Sequence, residues 1–194
     1  RDTREWLEFR RVLFRSTLPT GPSPSSKNSV FINTGCPVIS GIPILPVRDT
    51  SKRQQTPAFD IVDEAIYHFR TNIFMRDFKI KNDADRLLHY LTFYAMKCLK
   101  FFAKNPNDKQ KCATEIQSWN MKDFPIPGDG GFIISQLVTA PKNNQEKAEL
   151  KSFFKLIRTE TGNRLLEIIF KDGKADKWWV CFAQRKFLEK EMQN

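Results

Sequence analysis

Between Asp83 and Lys104 the chain carries a stretch that only the interior of a helical domain accommodates. Its middle reads Leu87-Leu88-His89-Tyr90-Leu91-Thr92-Phe93-Tyr94-Ala95-Met96. Ala84, Leu87, Leu88, Leu91, Tyr94, Ala95, Cys98 and Phe102 recur at helical spacing, and Tyr90, Phe93, Met96 and Leu99 fill most of the gaps. A helix apolar on nearly all sides is enclosed by protein. The unbroken apolar run is about ten residues, well short of the roughly 20 that a membrane span requires. His89 lies within it, and charges bracket it closely. The stretch predicts the central helix of a small helical domain, with no membrane span.

The remaining residues must cover that helix. A chain of 194 residues suffices for one domain with a substantial core. Its hydrophobic fraction of 40% and charged fraction of 28% match a globular rather than a disordered chain. The net charge of +10 points to an acidic partner: nucleic acid, an anionic surface or an acidic protein. That excess is shared, with nine Lys/Arg against four Asp/Glu in residues 1–56 and 23 against 18 in residues 57–194. Cys36, Cys98, Cys112 and Cys181 form no Cys-x-x-Cys pair and read as reduced, structural thiols of a cytoplasmic protein.

Residues 1–16 are basic and aromatic and are expected to form a poorly anchored amphipathic tail. Residues 17–29 are a Pro/Ser-rich linker. From Val30 the chain turns apolar again. Pro37, Pro43 and Pro46 forbid a helix and discourage a central strand, so Val30-Phe31-Ile32, Cys36-Pro37-Val38-Ile39 and Ile42-Pro43-Ile44-Leu45-Pro46-Val47 predict an extended apolar arm laid across the core. Asp60 is placed to cap a helix whose stripe is Ile61, Ala65, Phe69 and Ile73, and Asn82 to cap the central one. Asn105-Pro106 stops the central helix. A shorter helix follows from about Lys109 to Trp119, and Phe124-Pro125-Ile126-Pro127-Gly128-Asp129-Gly130-Gly131-Phe132 is a long turn anchored at both ends by phenylalanine.

A second long helix starts near Asn143 or Asn144. Leu150, Phe154, Ile157, Thr161, Leu165 and Ile168 hold one phase through Gly162 to about Phe170. A mid-helix glycine costs about 1 kcal/mol relative to alanine, which implies a close packing neighbour. Residues 177–188 mix large aromatics with basic residues and are expected to be helical. The fold class is therefore all-α: a compact single domain of about five helices over residues 34–194, one central helix enclosed by the others, an extended apolar arm before it, and residues 1–33 as tail and linker.

Catalytic chemistry finds little to work with. Only His68 and His89 are present. Glu64 and His68 share a helix face without further metal ligands, and His89 reads as a hydrogen-bonded core histidine. Gly128-Asp129-Gly130-Gly131 lacks the lysine and Ser/Thr of a phosphate loop. No enzyme and no cofactor are expected. The strongest functional signal is Trp178, Trp179, Phe182, Arg185, Lys186 and Phe187, since tryptophan and arginine are favoured interface anchors and two adjacent tryptophans do not both face one core. Stacking on these aromatics with phosphate contacts from Arg185, Lys186 and Lys190 would make a basic nucleic-acid-binding helical module, the competing reading.

Several segments in this order carry a family resemblance: Asp60-Ile-Val-Asp-Glu-Ala-Ile66, Ile80-Lys-Asn-Asp-Ala-Asp85, Phe124-Pro-Ile-Pro-Gly128, Arg158-Thr-Glu-Thr-Gly162, and Lys177-Trp-Trp179 with Phe182, Arg185 and Phe187. Together they resemble the 21 kDa subunit (subunit 3) of the actin-related protein 2/3 complex, over roughly residues 36–188. The resemblance implies a non-catalytic member of the seven-subunit assembly that nucleates branched actin filaments. It implies contact with actin-related protein 3 and the other subunits near the mother filament, hence a hetero-oligomer in the actin cytoskeleton, with no nucleic acid and no membrane. Two departures stand out. Pro127-Gly-Asp-Gly-Gly-Phe132 replaces the family's usual Pro-Gly-Glu-Pro-Gly-Phe, and residues 1 to about 33 have no counterpart. The expected partner-facing residues are Ile44, Leu45, Phe124, Pro125, Pro127, Trp178, Trp179, Phe182, Arg185, Lys186 and Phe187.

Overall fold

Asp60 and Asn82 start the two helices on which the rest of the chain is laid. The computed structural model describes residues 28–32, 34–50, 57–75, 78–171 and 173–192. Helix α1 spans Ile61–Asn72, and the Asp60 carboxylate accepts from the backbone N–H groups of Val62 and Asp63. Asp63 returns the bond to the Asp60 N–H, closing a capping box. Helix α2 spans Asp83–Lys104 and is closed in the same way by Asn82 and Asp85. Every residue from Leu87 to Met96 is buried, so α2 is enclosed along its middle as its composition requires.

Three further helices surround it: α3 (Lys109–Met121), α4 (Asn144–Ile169) and the single turn α5 (Lys177–Val180). Both α1 and α4 lie against α2, and α3 packs on α4. The aromatic side chains lock these layers. Tyr90 of α2 meets Phe154 of α4 edge to face at 4.6 Å, and Phe132 from the long turn stacks on the same tyrosine at 5.5 Å.

Gly162 explains itself through α3. A Cβ at this position would lie 2.5 Å from Cγ2 of Ile116, which is 1% exposed and has no room to withdraw. Gly162→Ala therefore loses stability despite its better helix propensity, by about 1–3 kcal/mol of overpacking in urea unfolding. Ile116→Ala in the same chain is expected to remove most of that penalty, and a strictly additive double variant would contradict the contact.

The proline-containing arm differs from the expected plain extended segment. Val38–Ile39 (β1) and Ile42–Pro43 (β2) pair as a short antiparallel hairpin, Ile39 opposite Ile42. Ser40 at φ 57° and Gly41 at φ 80° form its two-residue turn, whose positive φ values match the right-handed twist of a hairpin. Ile39, Ile42, Leu45 and Val47 join the same buried apolar cluster as α2.

The C-terminal segment also departs from a continuous helix. After α5 the chain tightens into a 3-10 turn over Cys181–Gln184 and is extended at Arg185. Leu188 and Glu189, at φ 48° and 58°, then turn it so that Phe187 pairs with Lys190. Leaving the helix frees Phe187 to reach His89 and Phe93 in the core, where it is fully buried.

The poorly anchored amphipathic tail expected over residues 1–16 lies outside the described residues, as does most of the linker. Residues 28–30, assigned to the linker and tail, are tied to the helices. The Ser29 N–H donates to Asp85, and its hydroxyl donates to Glu64, which also accepts from the Val30 N–H. His89 is not the hydrogen-bonded histidine expected. It is 3% exposed, neither ring nitrogen has a partner, and it is held edge-on to Phe78 and Phe187.

Candidate functional site

Helix α1 carries its core stripe on one side and leaves Tyr67, Arg70 and Phe74 toward the other, the last just past its C-terminus. The C-terminal segment packs beside that face. Trp179 stacks on Phe69 at 6.0 Å and is 2% exposed, while Arg70 covers its outer ring face at 4.3 Å. Its neighbour Trp178 points outward and is 39% exposed, with the Lys177 ammonium 5.0 Å from its ring. Phe182 is buried between Phe69 and Phe74. Phe74 itself is 57% exposed, and the Arg185 guanidinium lies 5.3 Å above it.

Exposed Phe74 and Trp178 are thus each paired with a cation, Arg185 and Lys177, Arg70 covers Trp179, and Tyr67 is exposed on the same helix as Arg70. Aromatic faces paired with cations suit an acidic protein surface bearing apolar groups. Lys186 is exposed on the same segment. Tyr67, Arg70 and Phe74 were not among the residues singled out from sequence. Their signal was a pair of aromatics seven residues apart on the polar side of an amphipathic helix.

The other expected contact residues divide by burial. Leu45, Phe124, Pro127, Trp179, Phe182 and Phe187 lie in this chain's own interior, Ile44 and Pro125 are half-buried, and Trp178, Arg185 and Lys186 are exposed. In the long turn, Phe124 and Phe132 are buried at its two ends. Asp129 holds the turn by accepting from the Ile126 N–H and the Lys147 ammonium. Gly128 is obligatory there: its φ is 93°, and a Cβ would lie 2.9 Å from Pro141.

Sequence reasoning also missed a buried ionic network. The Arg164 guanidinium donates to both oxygens of Asp60, at 2.6 and 2.8 Å, to Asp63 at 2.9 Å and to Glu160 at 3.2 Å. Arg48 adds a second cation on Asp63 at 3.1 Å, and its carbonyl accepts from Arg164. Burial raises the pKa of Asp60, but the bonds and charge of Arg164 outweigh it and hold the carboxyl below its usual range. Burial and then the Asp60 charge push Asp63 the other way. This network clamps the start of α1 to α4 and positions the exposed face rather than forming it. Among the described residues no group of three or more His, Cys, Asp or Glu is disposed to hold a metal ion.

The profile of the ARP2/3 complex ARPC3 (21 kDa) subunit family matches residues 25–192. The match starts ahead of residue 36, where the sequence resemblance began. Individual relatives agree. The chain is 38% identical over 151 residues to the probable actin-related protein 2/3 complex subunit 3 of Caenorhabditis elegans, covering 75% of this chain and 82% of that protein. It is 36% identical over 167 residues to the subunit 3 of Dictyostelium discoideum, covering 82% and 94%. It is 41% identical over 134 residues to that of Entamoeba histolytica, covering 68% and 70%.

Proposed function

The chain belongs to the family of the 21 kDa subunit of the actin-related protein 2/3 complex, and from that membership we propose how it sits in the assembly. As a member of the family it is a structural subunit of the complex that supports nucleation of branched actin filaments, and it is not an enzyme. The observation that carries this reading is the match over residues 25–192, which spans every described residue.

The finer proposal is that the chain packs against actin-related protein 3 near the mother filament, in the cytoplasm. The surface of Phe74, Trp178 and Arg185 is the contact. Large aromatics flanked by arginine are the residue types that dominate binding energy, and cations steer a protein toward an acidic partner such as actin. Trp179 and Phe182 then act from behind, holding that surface rigid against Phe69 and Phe74, and Lys186 extends it along the same segment, whereas Phe124 and Pro125 line the cavity beside Arg158.

The test compares capture of actin-related protein 3 by the wild-type chain with capture by a Trp178→Ala, Arg185→Glu variant. Both side chains are exposed, so the melting temperature stays within a few degrees, while capture falls about tenfold or more, as for loss of an interface hot spot. Undiminished capture by a folded variant would rule this surface out as the contact.

A further inference from the structure

Arg158 and Arg164 are both buried on α4, but their surroundings are opposite. Arg164 faces three carboxylates. Arg158 is 3% exposed and forms no salt bridge among the described residues. Its partners are neutral: Nε donates to Asn120 Oδ1 at 3.0 Å, one terminal nitrogen to the Tyr90 hydroxyl at 3.3 Å, and the other to the Trp119 carbonyl at 3.4 Å. Its flat faces meet Phe124 at 4.2 Å and Tyr94 at 4.7 Å. A buried charge is ordinarily matched by an opposite one, because the interior screens it poorly.

A cavity of about 110 Å³ opens onto this guanidinium. Lys97 and Lys122 line it, as do Glu115 and Asp123, with Trp119 and Phe124 as apolar walls. Asp123 is already bonded to Lys151. Lys97 lies over the Trp119 ring at 4.8 Å, and burial, with repulsion from Arg158, pulls its ammonium down to about 8. A guanidinium has five N–H donors. Three are used here, so one remains on each terminal nitrogen, the number a carboxylate accepts in a bidentate pair. The space is well below the roughly 300–1,000 Å³ of small-molecule sites. Pro125, Ile133 and Met192 add apolar lining around it, which suits the side chain of a protein surface rather than a free ion.

We propose that this cavity receives one aspartate or glutamate side chain of a partner protein, its carboxylate bonding the two remaining N–H groups of Arg158 beside Lys97. The partner half rests on the proposed function; the carboxylate half stands on the cavity alone.

Saturation-transfer NMR with acetate as the probe tests it, first on the full isolated chain and then on the complex purified through that chain. The isolated chain is expected to bind acetate saturably in the millimolar range and more tightly than methylphosphonate at equal ionic strength. Arg158→Lys keeps the charge but loses the fork, and should weaken binding at least fivefold. Lys97→Met, at a half-buried site, should weaken it severalfold and serves if the first variant fails to fold. No saturable binding, equal binding in Lys97→Met, or tighter binding of methylphosphonate would overturn the carboxylate site. Acetate binding seen only in a chain shortened to Met192 would assign the cavity to the chain's own tail and overturn the proposal. In the complex the acetate signal should vanish, because the partner side chain occupies the cavity; a signal that persists makes a free small acid the ligand and overturns the partner half. A chain that binds acetate yet joins no complex overturns the proposed function while leaving the Arg158 site standing.

Discussion

Arg164→Met is expected to lower folding stability by about 3–5 kcal/mol, measured by urea unfolding at pH 7. The side chain is 8% exposed and joins residues more than 100 positions apart in sequence. Removing it leaves Asp60, Asp63 and Glu160 buried and, among the described residues, only the Arg48 pair to Asp63. The dominant cost is the stranded charge rather than the lost bonds, so a neutral substitution hurts more than the net value of the network suggests. Arg164→Lys keeps one charge but cannot bridge the acids, and should fall between wild type and Arg164→Met. The pH dependence gives a second check. The folded Asp60 carboxyl is held below its ordinary 3.8, so its stabilisation is present above that value and is lost as pH falls through the folded pKa. Arg164→Met lacks that contribution, so its deficit should narrow as the pH drops below about 4. A deficit under about 1 kcal/mol, or one that widens in acid, would show that the network does not clamp α1 to α4.

His89 provides the second large effect, with its own pH window. Burial pulls its folded pKa from 6.5 down to about 4, against a small opposing pull from Asp85. The unfolded chain therefore binds a proton that the folded chain refuses between those values. Stability from this group is complete above pH 6.5 and is lost as pH falls toward 4, by about 2–3 kcal/mol at 1.4 kcal/mol per unit. His68, also lowered by burial, adds in the same direction. Asp63 and Glu64 have raised pKa values, so their contributions run the opposite way at the acid end of the window. The His89 share is isolated by difference. His89→Leu removes two unpaired buried nitrogens and the titration together. It should match or exceed wild-type stability at pH 7 and exceed it by a further 2–3 kcal/mol near pH 4.5. Parallel curves for the two proteins would place His89 in contact with water.

Much of this fold could be read from local chemistry. Asn82 and the all-round apolar run fixed α2 at Asp83–Lys104, because a cap and an enclosed helix are both written within a few residues of each other. Gly162 announced a neighbour through its propensity cost, and that neighbour is Ile116. The ionic network was not readable in the same way. Arg164 and Glu160 stand four apart, which in sequence looks like an ordinary exposed helix pair. Only the fold brings Asp60 and Asp63 to them. The C-terminal segment failed for a related reason: its composition allows a helix, but the pull of Phe187 toward the core decides where the helix ends.

The candidate surface was half legible. That Trp178 and Trp179 could not both face the core followed from their adjacency, and Trp179 is the one that turned in. Which exposed residues join Trp178 depended on α1, because Phe74 and Arg70 reach the C-terminal segment only through tertiary packing. The hairpin in the arm needed recognition of Ser40-Gly41 as a turn among prolines that argue against strand.

Membership of this chain in the branched-actin nucleator is open to a direct check: mass spectrometry of the assembly recovered with the tagged chain from its own cells at moderate salt. The actin-related proteins 2 and 3 and the other complex subunits are expected in amounts equimolar with the chain, unchanged by nuclease. Recovery of the chain alone, or with nucleic acid and without the actin-related proteins, would contradict it.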